Sequence, residues 1–161
     1  MKLSDTFKVT TPGELEIVMA RDFDAPPDMI FDALTKPELV RRWLLGPDGW
    51  IMSVCEMDLK VGGAWRYVWR NDEKGREFPM HGEYREIVRP GRIVHTEIFG
   101  EGESLVTSSI TAKGDTTTLT MTMLFASRAE RDAALETGMA DGVAVSYDRL
   151  DEVLTPTGSL K

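Results

Sequence analysis

From about residue 53 to residue 125 the apolar side chains recur at every second position, and after Ser127 they recur every third or fourth. The first period belongs to half-buried strands and the second to an amphipathic helix. This order constrains the fold more than any motif does. A run of neighbouring strands must hide one face, and a single long helix follows that can cover it. The last strand shows the pattern most cleanly, with Leu119, Met121, Met123 and Phe125 on one face and Thr118, Thr120 and Thr122 on the other. One apolar and one polar face mark an antiparallel sheet wetted on one side.

Turn residues divide the run. Strands are expected at residues 53–59, around Trp65, Tyr67 and Trp69, and at 77–88, 92–99, 104–112 and 117–125. Gly62-Gly63, residues 71–75, Arg89-Pro90-Gly91 and Lys113-Gly114-Asp115 supply the connections. Upstream, Leu15, Ile17, Met19 and Arg21 alternate with Glu16, Val18, Ala20 and Asp22 in a first strand. Ala25-Pro26-Pro27-Asp28 stops it and opens a helix to about Thr35, and Pro37 opens a second with Leu39, Val40, Trp43 and Leu44 as its stripe. Gly46-Pro47-Asp48-Gly49 ends that helix. Residues 1–13 read as a loose arm, 14–155 as a single domain and 156–161 as a tail.

Ser127 has the chemistry of a helix N-cap, with Glu130 three residues on as its capping-box partner. The helix is expected to run to about Leu154, bent or broken near Gly138. At about 100° per residue, Met139, Gly142, Val143, Ser146, Tyr147, Leu150, Val153 and Leu154 share one face, and Asp141, Asp148, Asp151 and Glu152 the other. Segregated strands and helices of this kind predict an α+β fold, a curved antiparallel sheet around a long C-terminal helix. Sheet twist works against a complete seal between the two, so a cavity there is expected.

Charge and composition remove several function classes. The net charge of −8, with Arg41-Arg42 as the only adjacent basic pair, lacks the basic footprint of a nucleic-acid partner. No apolar run approaches the roughly 20 residues of a membrane span. Two separated histidines and one cysteine do not make a metal site, and no cofactor motif is present. Gly62-Gly63 lacks a nucleotide-loop pattern, and Ser108 and Ser109 lack a nucleophile-elbow context. The lone Cys55 reads as a small buried residue of a reducing, cytoplasmic protein. A homodimer stays open.

Two groups of side chains could line the cavity. Trp65, Tyr67 and Trp69 share one strand face, Met121 and Met123 another, and Met139, Val143 and Tyr147 come from the helix. Methionine adapts to varied shapes, and Trp and Tyr combine a broad apolar body with a polar edge. The same residues would serve a packed core equally well. His95 and Glu97 form the second group, on one strand face with Ile93 and Phe99. Simple hairpin register places Tyr84 near Glu97 and Glu86 near His95.

The blocks Arg21-Asp22-Phe23-Asp24-Ala25-Pro26, Val40-Arg41-Arg42-Trp43 with Gly46-Pro47, and Asp58-Leu59-Lys60-Val61-Gly62-Gly63 follow one another in the chain. Gly82-Glu83-Tyr84-Arg85-Glu86-Ile87-Val88, Arg92-Ile93-Val94, Gly138-Met139 and Tyr147-Asp148-Arg149-Leu150 complete the series. In this order they resemble the SRPBCC superfamily (START/Bet v 1-like), and within it the branch of activator of heat-shock-protein-90 ATPase homologues. The resemblance covers roughly residues 14–155 and implies the helix-grip fold. It also implies that the positions of His95 and Glu97 face the pocket, where relatives are usually apolar. Three functions are then expected in order. The first is binding of a small apolar or aromatic molecule, with no cofactor. The second is a polyketide cyclase-like enzyme with His95, Glu97 and Tyr84 as its acid–base candidates. The third is a co-chaperone-like interaction module, for which the co-chaperone's additional N-terminal domain finds no room here. A Trp65→Ala or Met121→Ala change is expected to weaken a bound ligand without unfolding the domain.

Overall fold

Eight strands and four α-helices form over residues 2–154, the part of the chain that the computed structural model describes. The strands are β1 (Lys8–Thr10), β2 (Glu16–Phe23), β3 (Ile51–Met57), β4 (Ala64–Asn71), β5 (Arg76–Val88), β6 (Arg92–Phe99), β7 (Gly102–Lys113) and β8 (Thr116–Phe125). Helices α1 (Pro27–Thr35) and α2 (Pro37–Trp43) lie between β2 and β3, and α3 (Arg128–Glu136) and α4 (Met139–Leu154) follow the sheet. All strand pairs are antiparallel in one sheet of order β1-β2-β8-β7-β6-β5-β4-β3. The sheet is a curved surface around α4, the helix-grip arrangement expected of the α+β pattern.

The expected arm is not loose over its whole length. A 3-10 turn at Leu3–Thr6 leads into β1, which pairs Lys8 with Ala20 and Thr10 with Val18 on β2. Three polar-flanked residues are a weak strand signal, and an existing edge supplies the pairing that they cannot enforce themselves. The expected tail at 156–161 lies outside the described residues.

Each inward row follows from alternation. On β2, Ile17, Met19, Arg21 and Phe23 are buried, and on β8 Leu119 and Met123 are buried opposite them. The main core joins Phe23, Ile30, Phe31, Trp43, Trp65, Tyr84, Ile93, Leu119, Tyr147, Leu150 and Leu154. A second cluster of Ile17, Met19, Val106 and Met123 receives Met139 and the underside of α3. At about 1.5–3 kcal/mol for each large apolar side chain removed from water, these two clusters drive the closure of α4 on the sheet.

The C-terminal helix is divided where the sequence indicates. Ser127 Oγ accepts the Glu130 amide hydrogen at 3.2 Å, capping α3. Gly138, with φ +80°, separates α3 from α4. A side chain with a Cβ rarely adopts that conformation, so glycine permits the change of direction there. Ser146, Tyr147, Leu150 and Leu154 form the buried face of α4, as the 100° spacing predicts. No helix among the described residues is long and apolar enough to cross a membrane.

On the outer face Asp22 accepts a hydrogen bond from Thr118 Oγ1 at 2.6 Å and faces Lys113 Nζ at 3.2 Å. The Thr118 bond, then Lys113, holds the Asp22 carboxyl below its ordinary value of 3.8 against the opposing effect of burial. A depressed native value means that stability is fully present above about pH 4 and is lost as pH falls through the native value. Asp22→Asn is therefore expected to flatten the acid limb of the stability–pH curve below about pH 4. Urea unfolding from pH 2.5 to 7 measures this, and an unchanged acid limb in the variant would count against it.

Candidate functional site

The inward faces of β4, β5 and β6 carry a continuous series of rings. Tyr84 lies 6.3 Å from His95 between ring centroids, His95 5.3 Å from Trp65, and Trp65 4.7 Å from Tyr67. Tyr67 then meets Trp69 at 5.7 Å, Trp69 meets Phe78 at 5.8 Å, and Phe78 stacks on Phe99 at 4.2 Å. Period-two alternation on three adjacent strands generates this wall, since side chains of one parity stand on one face. The wall begins in the core at Trp65, 3% exposed, and ends at the rim at Phe99, 46% exposed.

Backbone carbonyls fix the indoles. Trp65 Nε1 donates to Thr96 O at 3.0 Å, Trp69 Nε1 to Leu44 O at 2.7 Å, and Trp43 Nε1 to Ala33 O at 2.9 Å. These three N–H groups thus need no ligand partner. Trp65 belongs to the main core, so Trp65→Ala would remove stability as well as a contact, by about 3–5 kcal/mol. The expectation that this change leaves the domain folded is thereby weakened, whereas Met121 is only half-buried and remains suitable.

His95 and Glu97 both point inward, with side chains 20% exposed and His95 Nε2 3.8 Å from Glu97 Oε2. That separation exceeds a hydrogen bond, so neither closes off the other. The expected register of this hairpin is corrected. Glu86 pairs with Val94 and not His95, in the register that Val88 opposite Arg92 sets at the turn. The register shift between Glu86 and Tyr84 then places Tyr84 opposite His95 and not Glu97. Glu86 faces solvent, where Arg92 Nε donates to it at 3.0 Å. The extra residue of a bulge reverses the side-chain parity on one side of it, which simple turn counting does not anticipate. His81 is exposed, on the outer parity opposite Arg66.

The remaining sequence candidates surround the wall. Met121 is half-buried, Met123 is buried in the second cluster, and Met139 packs on that cluster from α4. Val143 of α4 touches both clusters. Tyr147 is buried deeper, edge-on to Phe7 at 6.0 Å and Phe23 at 5.6 Å. Two side chains escaped the sequence reading. Phe78 joins Trp69 to Phe99, and its alternation with Met80, Gly82 and Tyr84 is the signal that marks it. Arg21, 2% exposed, stands in the inward row of β2, where its parity with Ile17 and Met19 was visible.

Burial above all pushes the Tyr67, Tyr84 and Tyr147 phenols up from their ordinary 10.0, with Tyr84, Cys55 and then Glu97 contributing at Tyr67, Cys55 at Tyr84, and Arg21 opposing at Tyr147. All three are neutral hydroxyls at physiological pH. No hydrogen bond among the described residues uses these hydroxyls, yet none is a fully enclosed orphan. Burial likewise raises the Cys55 thiol, whose Sγ lies 3.9 Å from Pro37 O. Two open recesses, of about 330 and 410 Å³, border the sheet, the second at Trp65 and Gly82. One is lined by residues 24–27, 112 and 114–117, the other by Glu56, Ala64, Trp65, Arg66, His81 and Gly82. Neither is lined by a residue of α4. Among the described residues no group of three or more His, Cys, Asp or Glu side chains could hold a metal ion.

The family described as Activator of Hsp90 ATPase homolog 1-like protein matches residues 24–155. The chain belongs to that family. Solved structures agree. A protein from Rhodobacter sphaeroides is 30% identical with a TM-score of 0.86, over 92% of this chain and 97% of that one. A protein from Chromobacterium violaceum is 25% identical with a TM-score of 0.76, over 86% and 96%. One from Nitrosomonas europaea, 23% identical, has a TM-score of 0.80 over 92% and 99% and shares the fold. No curated protein matches the chain. Membership places this chain of the Activator of Hsp90 ATPase homolog 1-like family in the Bet v 1/SRPBCC-like superfamily that the sequence blocks indicate.

Proposed function

We propose that this family member holds a small apolar or aromatic molecule between the ring wall of β4–β6 and helix α4. The observation that carries the reading is the partly exposed inward face. His95 and Glu97 stand among buried neighbours yet remain 20% exposed, as side chains bordering a space and not a sealed core do. Rings supply the apolar contact, and the hydroxyls of Tyr67 and Tyr84 with His95 and Glu97 supply the few polar groups that orient a ligand. Trp65, Tyr67, Trp69, Phe99, Met121 and Met123 are the sheet-side contacts in this reading, and Met139, Val143 and Tyr147 those of the helix. A lone buried thiol suits a reducing, cytoplasmic setting.

Val143 offers the sharpest test, because it touches both core clusters from α4. With space in front of it, Val143→Phe fills the cavity. The variant is expected to keep its unfolding free energy within about 1 kcal/mol and to bind the neutral probe N-phenyl-1-naphthylamine about tenfold more weakly than the unaltered protein. Fluorescence titration and urea unfolding measure both. A loss of about 3 kcal/mol in the variant, together with no probe binding by the unaltered protein, would mean a filled core and end the proposal.

The inward pair also favours a second reading, acid–base catalysis on a molecule held against the same wall. His95 Nε2 and Glu97 Oε2, 3.8 Å apart, could both reach one bound group, with Tyr84 beside His95 as a hydroxyl donor.

A further inference from the structure

We propose that the wall selects an aromatic molecule bearing an amine, with Glu97 as its counter-charge, over one bearing a carboxylate. This rests on the small-molecule reading above and names the chemistry of its ligand.

The charges that face the concavity decide the preference. Glu97 stands inward, and among the described residues its one ion-pair contact is His95 at 3.8 Å. Among the described residues no lysine or arginine comes within ion-pair distance of it. The buried cations among the described residues are Arg21 and Arg131, and both are committed elsewhere. Arg21 is committed to the Tyr147 carbonyl and to Asp148 and Asp151 on α4, and Arg131 to the Gly13 and Glu16 carbonyls and to Asp132. Tyr67 and Tyr84 are neutral hydroxyls. An imidazolium at His95 would at most cancel Glu97 and leave no surplus positive charge for an acid.

The rest of the wall acts in the same direction. Trp65 and Tyr67, 4.7 Å apart, belong to a run of rings whose faces carry negative quadrupole charge. Thr96, bonded by the Trp65 indole through its carbonyl, directly precedes Glu97, so the carboxylate and the ring series share one neighbourhood. An ammonium group here meets a carboxylate and aromatic faces together. A carboxylate here meets like charge, in a protein whose net charge of −8 already repels it at long range.

Three probes on one bicyclic ring separate the possibilities: 1-naphthylmethylamine, 1-naphthalenemethanol and 1-naphthoate, titrated calorimetrically at pH 7. The amine is expected to bind about tenfold more tightly than the naphthoate, with the alcohol between them. Glu97→Gln is expected to bring all three within about threefold of one another. Raising the ionic strength from about 0.05 to 0.5 M should weaken the amine and spare the alcohol in the unaltered protein. Binding of the alcohol without preference for the amine, or a preference that survives Glu97→Gln, overturns this inference alone. Failure of all three to bind overturns the binding reading with it.

Discussion

Gly82→Ala is expected to destabilise the protein by about 3 kcal/mol, lowering its melting temperature by roughly 6–12 °C. A Cβ at Gly82 would lie 1.9 Å from Thr96 O, 2.7 Å from Thr96 C and 2.6 Å from Trp65 Nε1. Two of those atoms are backbone and cannot swing aside. The third donates the hydrogen bond that seats Trp65 on Thr96 O at 3.0 Å. The added methyl group must therefore part β5 from β6, break that bond, or do both. Either outcome tilts the indole away from His95 and Tyr67 and disrupts the middle of the ring wall. Gly142 is the contrasting case. A Cβ there meets Pro47 Cδ at 3.8 Å and Gly46 Cα at 3.9 Å, ordinary contacts. Alanine also suits a helix interior better than glycine by roughly 1 kcal/mol. Gly142→Ala is accordingly expected to be neutral or stabilising. Urea denaturation of both variants checks the pair of expectations. Equal midpoints for Gly82→Ala and the unaltered protein would show that the close approach carries no cost.

The fold was legible because its signals are local and repeated. Alternation located seven of the eight strands to within about two residues, and β6 at both ends, since half-buried strands write their period directly into the sequence, whereas β1 lies in the segment read as an arm. Ser127 with Glu130 and the glycine at 138 announced the cap and the break for the same reason. The arrangement inside the candidate site was only partly legible. Which residues face inward on β6 follows from parity, and His95 and Glu97 do face inward. Their cross-strand neighbour depends on register, and register depends on a bulge near Arg85 that no turn motif reveals. Phe78 is hard to read from the sequence because Gly82 interrupts the apolar row that leads to it. That gap is filled by Trp65 from the adjacent strand, a tertiary substitution with no trace in the strand's own sequence.

Arg21→Ala is expected to cost about 3 kcal/mol, while Arg21→Met keeps more than half of that stability. The side chain is almost wholly enclosed between β2 and α4. Its Nη1 donates to Tyr147 O at 2.6 Å, its Nε reaches Leu3 O at 3.5 Å, and its guanidinium lies 4.6 Å over the Phe23 ring. The ion pairs are the weaker part. Asp148 and Asp151 stand at 3.8 and 3.5 Å, but their side chains are 63% and 42% exposed, so water screens both interactions. Asp148→Asn is for that reason expected to change stability by less than about 1 kcal/mol. The weight rests on the filled volume and on the bond to a helix carbonyl, and methionine restores the first but not the second. Tyr147 lies one helical turn beyond Val143, the residue that faces both core clusters, so this bond also fixes how α4 sits over the wall. Loss of the guanidinium should therefore loosen α4 ahead of the sheet. Amide hydrogen exchange reads this directly, with protection in residues 139–154 expected to fall more than protection in β7 and β8. Methionine behaving as badly as alanine would assign the stabilisation to charge, against the screening argument. Uniform loss of protection across helix and sheet would show that Arg21 supports the whole core and not the seat of α4.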